Sequence, residues 1–133
     1  MTSTLDAPTS TAECDTPRYS PIGAYGIIGD MRTAALIGLD GSMDWCCLPE
    51  FSSASTFAAI LDSANGGRFK IAPAMAYTTE QRYLPATNVL ATTFHAEAGG
   101  TLELCDFMPV TEDGRRPGYA EVHRRVRCTR GTV

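Results

Sequence analysis

Residues 39–49, LDGSMDWCCLP, hold the chain's densest group of reactive side chains: two carboxylates, Asp40 and Asp44, the single tryptophan, Trp45, and the adjacent thiols Cys46 and Cys47. A carboxylate beside an indole suits a sugar, because the ring face covers apolar C–H patches while the oxygens accept hydroxyl protons. The same letters also suit plain architecture. Asp40-Gly41 separates two short apolar runs, and its tolerance of positive φ makes it a hairpin turn, so Asp40 is expected to serve the backbone. Asp44 and Trp45 follow in the returning strand. Strand alternation places them on opposite faces, where they cannot act as a pair on one ligand. Vicinal cysteines on opposite faces are poor geometry for a shared metal, and none of Cys14, Cys46, Cys47, Cys105 and Cys128 forms a C-x-x-C pair. They read as small buried hydrophobes of a reducing compartment, and neither a metal nor a cofactor is expected. His95 has no second ligand at metal spacing and reads as a strand histidine near a turn. Asp106 and several glutamates have the chemistry of an acid and a base, but surface carboxylates on strands and turns are the simpler expectation, and no catalytic residue is assigned.

The elements that would position these groups are mostly strands. Residues 33–39 (TAALIGL) and 43–48 (MDWCCL) flank the Asp-Gly turn. A second hairpin is predicted for 88–96 (NVLATTFHA) and 101–110 (TLELCDFMPV) around Gly99-Gly100, with Leu90, Thr92 and Phe94 on one face. Residues 68–72 and 79–84 read as extended pieces. In 121–128, Val122, Arg124, Val126 and Cys128 share a face, and Thr129-Arg130-Gly131 reads as a hairpin turn opening a returning strand at 132–133. The basic run from His123 to Arg127 is expected to be a solvated or docking face. One short helix is predicted from Thr56, with Phe57, Ile60 and Leu61 on one side and Asn65-Gly66-Gly67 as its stop. Gly23, Gly26 and Gly29 do not follow a strand as a G-x-G-x-x-G loop would, so they suggest tight turns rather than a phosphate cradle.

A chain of 133 residues with 44% apolar and 20% charged residues is expected to form one core. Its formal charge of −4 excludes an extended phosphate-binding surface, so no nucleic acid partner is expected. Residues 1–17 lack a basic start and an apolar stretch, which excludes a secretory signal and predicts a disordered tail. No run approaches the length of a membrane-spanning helix, and a cytoplasmic location is the expectation. Because a returning strand that stops after about two residues has no partner ladder, residues 18–133 are expected to be an incomplete sandwich, truncated before its last strands. Its open sheet edge invites oligomerisation or strand addition.

These segments, YSPIGAYGIIGDMRTAALIGLDGSMDWCCLPEFSSASTFAAILD (19–62), GGRFKIAP (66–73), RYLPATNVLATTF (82–94) and CDFMPV (105–110), resemble in order the amino-terminal domain of bacterial and archaeal family-15 glycoside hydrolases of the glucoamylase and trehalase type. The resemblance implies a mainly β, antiparallel β-sandwich of supersandwich-like form that packs against a following (α/α)6 catalytic barrel. It implies inverting hydrolysis of an α-glucoside by two glutamates of that barrel, which is absent from these residues. Inversion needs an acid and a base about 6.5–9.5 Å apart, and no glutamate here maps onto either role. The domain would then be non-catalytic, a scaffold shaping the barrel's entrance through Asp44, Trp45, Glu50 and Phe51. Glu50 and Ser52 depart from the family, which commonly has a basic residue and an aspartate at these places. The alternative is a free-standing β-module that binds carbohydrate or protein.

Overall fold

A computed structural model describes residues 19–110 and 119–133. The expected tail, Cys14 and most of the loop before Tyr119 lie outside the described residues. In the first sheet, β1 (Tyr25–Gly29), β2 (Ala34–Gly38) and β3 (Ser42–Cys47) are successive neighbours. The far edge of β3 carries both β4 (Ser55–Phe57) and β5 (Phe69–Lys70). The second sheet is a four-strand meander of β6 (Tyr77–Tyr83), β7 (Leu90–Ala96), β8 (Thr101–Phe107) and β9 (His123–Arg130). Every pairing is antiparallel.

Both predicted hairpins form for the predicted reasons. Gly41 turns the chain at φ +76°, and Asp40 Oδ1 accepts the Ser42 amide hydrogen at 3.1 Å, so Asp40 is a turn residue. A Cβ on Gly41 would lie 2.1 Å from the Ile71 carbonyl oxygen, which adds a packing reason for glycine to the conformational one. Gly99 turns β7 into β8 at φ +89°.

The sheets pack face to face as a β-sandwich. Ile28, Ala35, Ile37, Met43 and Cys46 of the first sheet meet Leu90 of β7 and Met108, just past β8, in one cluster. Phe94, Leu102 and Leu104 form a second cluster, closed by Ile71, Ala72, Tyr77 and Val133. The predicted inward face Leu90-Thr92-Phe94 is buried as expected.

Three local expectations are corrected. No helix starts at Thr56: Ser55–Phe57 pairs with Cys46 and Cys47 on the open edge of β3, and the next residues make only single turns, with Leu61 and Asp62 amides bonded to the Ala58 carbonyl. Among the described residues the helical content is one 3-10 turn, Ile22–Ala24. Gly26 and Gly29 lie in a strand, not in turns; an added Cβ on Gly26 would come within 2.5 Å of the buried Leu90 side chain, so glycine there lets β1 approach the second sheet. Finally, β9 runs on through Thr129 and Arg130, the first two residues of the expected turn, and of that turn only Gly131 takes a positive φ.

Side chains lock the sandwich at both ends of the first sheet. The Tyr83 hydroxyl donates to the Ile27 carbonyl at 2.8 Å and accepts the Ile27 amide hydrogen at 3.0 Å, while Asn88 Nδ2 donates to the Gly29 carbonyl at 2.8 Å. On the opposite side Arg124 of β9 reaches into the seam. Its Nε donates to Asp106 Oδ1 at 2.7 Å, its Nη2 to the Gly41 carbonyl at 2.8 Å, and its Nη1 to the Phe69 carbonyl. The guanidinium also lies 4.8 Å from the centre of the Phe69 ring.

Candidate functional site

The face of the first sheet turned away from the core carries most of the chemistry-bearing residues. Its arrangement starts with a register irregularity. Ala35 stands opposite Cys46, Leu36 opposite Trp45 and Ile37 opposite Met43, which leaves Asp44 as the extra residue of a β-bulge. Met43 and Cys46, three apart, both reach the core because of it, and Asp44 and Trp45 both fall on the outer face. The expectation that alternation separates them is therefore corrected. Alternation holds only in an unbulged strand, and the bulge lay beyond what apolar patterning could indicate.

Sharing a face does not free Asp44 for a ligand. Its Oδ2 accepts the Tyr25 hydroxyl at 2.8 Å, its Oδ1 accepts the Ser42 hydroxyl, and the Arg68 guanidinium stands 3.8 Å from Oδ1. The residue is only 7% exposed. Burial first, then the hydrogen bond and charge of Asp44, push the Tyr25 phenol up to about 12. The carboxylate thus fixes a tyrosine and a serine, and its burial leaves little of it open to a sugar hydroxyl. Beside this cluster, Lys70 Nζ meets Asp40 Oδ2 at 2.8 Å.

Trp45 lies further along the same face, in a shallow apolar groove of about 290 Å³ with Ile27, Leu36, Phe51, Ile60 and Leu61. Its ring is 5.2 Å from that of Phe51 at an interplanar angle of 59°. Phe51 is 62% exposed and Leu61 75%. The Phe51 loop is held in place because its amide donates to the Arg32 carbonyl at 3.0 Å and the Ser53 amide to the Glu50 carbonyl at 2.9 Å. Glu50 is exposed on that turn. Ile27 also lines a second open groove, about 500 Å³, with Tyr83, Thr87 and Asn88. The apolar strip is therefore continuous from the β3 side across to the β1 edge.

Of the four residues singled out from the sequence, Trp45 and Phe51 form the aromatic centre of this strip, Asp44 supports its neighbours, and Glu50 sits at the rim. Cys46 and Cys47 are buried, and burial with the neighbouring Cys47 pushes the Cys46 thiol up to about 11, which removes it as a nucleophile. Among the described residues no group of three or more His, Cys, Asp or Glu side chains is placed to hold a metal. No helix of the described residues is long and apolar enough to cross a membrane.

The Asp106–Arg124 pair was missed, with side chains 0% and 3% exposed. Burial raises the Asp106 carboxyl above its usual range, and the hydrogen bond and charge of Arg124 offset that only in part. The signal was present: Asp106 shares a face with Leu102 and Leu104, and Arg124 with Val122 and Val126, so both stood on apolar faces. The basic run is thus an outward face only at His123, Arg125 and Arg127.

Residues 16–130 match the family described as trehalase-like, N-terminal. The chain is 43% identical over 110 residues to a trehalase of Thermoplasma volcanium, an alignment covering 81% of this chain and 18% of that protein. It is 40% identical to a trehalase of Thermoplasma acidophilum, covering 68% and 16%, and 37% identical to one of Mycolicibacterium smegmatis, covering 72% and 15%. No solved structure gives a significant match. The matched part therefore spans less than a fifth of the length of these relatives. The matched residues 16–130 take in both sheets of the sandwich, so the chain belongs to the trehalase-like N-terminal domain family.

Proposed function

We propose that this sandwich is the non-catalytic amino-terminal domain of a trehalase-type α-glucosidase of carbohydrate metabolism, and that it scaffolds a catalytic (α/α)6 barrel and shapes its entrance. The observation that carries the reading is the apolar strip of Ile27, Leu36, Trp45, Phe51, Ile60 and Leu61 on the outer face of the first sheet. A solvent-facing sheet surface is ordinarily polar, and a contiguous apolar patch beside an aromatic pair marks a contact surface. The related trehalases, several times longer than the match, supply the class of partner. Free thiols at Cys46, Cys47, Cys105 and Cys128 support a reducing, cytoplasmic setting.

Co-expression with the remaining part of the Thermoplasma volcanium trehalase tests this. The two pieces are expected to co-purify and release glucose from trehalose, and the chain alone is expected to release none above a boiled control. Trp45→Asp and Leu61→Asp should abolish co-purification. Hydrolysis by the chain alone would overturn the non-catalytic reading, and co-purification indifferent to both substitutions would overturn the docking face.

A second reading, direct contact with an α-glucoside, is favoured by the exposure of Phe51 beside Trp45. Because Trp45 is the only tryptophan, its fluorescence reports the strip without ambiguity. Saturable quenching by trehalose that glycerol at the same concentration does not reproduce supports the sugar contact; an unchanged spectrum discards it.

A further inference from the structure

β1 lies at the edge of the first sheet, and among the described residues no strand pairs with its outer side. An edge strand presents unpaired backbone groups to other chains, and proteins commonly blunt it with charge, proline or short length. The five residues of β1, YGIIG, carry neither a charge nor a proline, and Ile27 at their centre is 54% exposed. By composition this edge invites pairing.

Its outward backbone groups are nevertheless engaged. Ala24 and Asp30, flanking β1, bond across to Leu39 and Thr33 on the β2 side, so by alternation the groups of Tyr25, Ile27 and Gly29 point outward. The Tyr25 amide donates to the Ile22 carbonyl. The Tyr83 hydroxyl accepts the Ile27 amide hydrogen at 3.0 Å and donates to the Ile27 carbonyl at 2.8 Å, and the Gly29 carbonyl accepts from Asn88 Nδ2 at 2.8 Å. One hydroxyl thus does for Ile27 what a facing residue does in a hydrogen-bonded antiparallel pair, where both backbone groups are met at once. Its reach depends on Gly26, where an added Cβ would lie 2.9 Å from Gln81 Oε1 and hold β1 away from β6. The Thr87 hydroxyl donates to the Leu84 carbonyl and accepts the Val89 amide hydrogen, which braces the loop that presents Asn88. Tyr83, Thr87 and Asn88 line the open groove beside β1, and because each is bonded within the chain the groove has the chemistry of a closed edge.

We propose that Tyr83 and Asn88 form a strand mimic that closes the β1 edge against a second copy of this chain. Antiparallel pairing of β1 with itself about Ile27 would oppose no like charges and would join two apolar strips at their Ile27 ends. Closure keeps the strip in single copies, open to the catalytic barrel; that last step rests on the docking role proposed for the strip, whereas the closure itself does not.

Sedimentation velocity over a range of concentrations compares the chain with Tyr83→Phe/Asn88→Ala, which keeps the Tyr83 ring but removes the hydroxyl and the amide. Backbone groups left unbonded in the variant regain partners across a β1–β1 contact, so self-association should tighten by at least about tenfold. The Ile27 amide of the variant should exchange its hydrogen fast at low concentration and slowly at high concentration. Ile27→Lys added to the variant sets two cations face to face at the centre of the contact and should return it to the behaviour of the unaltered chain. Tyr83→Phe alone serves the same comparison should the double variant fail to fold. Association no tighter than that of the unaltered chain, or association that Ile27→Lys leaves in place, would overturn the proposal. So would an unaltered chain that already dimerises and that Ile27→Lys dissociates. Co-purification with the barrel reports separately on the strip, so the two readings fail independently.

Discussion

At the scale of single residues, the carboxylate–indole pair resolves into two different jobs. Asp44 lies beside Trp45 on one face, yet each of its oxygens already accepts a hydroxyl hydrogen, from Tyr25 and from Ser42. This has a consequence in the alkaline range. A tyrosine whose folded pKa is pushed to about 12 holds its proton where the unfolded chain, with its ordinary value near 10, has lost it. The folded state then binds more protons than the unfolded state, and stability falls as pH rises from about 10 toward 12. Tyr25→Phe is expected to lower stability by about 1 kcal/mol at neutral pH, through the lost hydrogen bond, and to flatten this alkaline decline. Urea denaturation at a series of pH values reads both effects; an unchanged alkaline slope in Tyr25→Phe would show that the phenol does not govern it.

At the scale of elements, the hairpins were legible because their turns and their alternation are local. Gly41 and Gly99 carry the positive φ of the two turns, and Leu90, Thr92 and Phe94 carry the period of two. What could not be read depends on partners distant in sequence. The β3 bulge depends on how β2 lies against it, β1 depends on Leu90 tolerating no Cβ at residue 26, and Ser55–Phe57 became a strand because the edge of β3 was open. In the candidate site, Trp45 and Phe51 were found by residue type, while Ile27, Leu36, Ile60 and Leu61 around them were not, since only the assembled sheet brings them together. Two substitutions test the element-level account. Gly26→Ala should cost about 1–3 kcal/mol, because the methyl group enters the space of Leu90 and Gln81. Met31→Gly should act in the opposite direction: Met31 holds φ +70° between Asp30 and the Arg32 and Thr33 amides that Asp30 caps. Relief of the left-handed strain, less the entropy glycine adds to the unfolded chain, should leave a net gain of about 0.5–1 kcal/mol. Midpoints that move in these directions at constant m-value would confirm the native state as the origin.

At the scale of the whole molecule, two sheets joined by an apolar core are also held by one buried ion pair at the seam. Arg124 is bonded at once to Asp106 in its own sheet and to the Gly41 and Phe69 carbonyls in the other. Arg124→Met keeps much of the volume but leaves Asp106 buried without its cation and both carbonyls without a donor, which should cost about 3–5 kcal/mol at neutral pH. The direction of its pH dependence follows from the carboxyl. Without Arg124 nothing offsets desolvation, so the folded pKa of Asp106 rises further above the unfolded value near 3.9. The variant's deficit is therefore smallest below that value, where the carboxyl is protonated in both states, and grows as pH rises through the interval up to the folded value. Pairing it with Asp106→Leu removes the buried charge and should recover most of the loss, because an apolar pair of similar volume often replaces a buried ion pair at little cost. Thermal unfolding of the two single variants and the double variant at acidic and neutral pH separates the outcomes. A double variant as unstable as Arg124→Met would mean that the bonds to Gly41 and Phe69, rather than the neutralisation of Asp106, are what hold the two sheets together on this side.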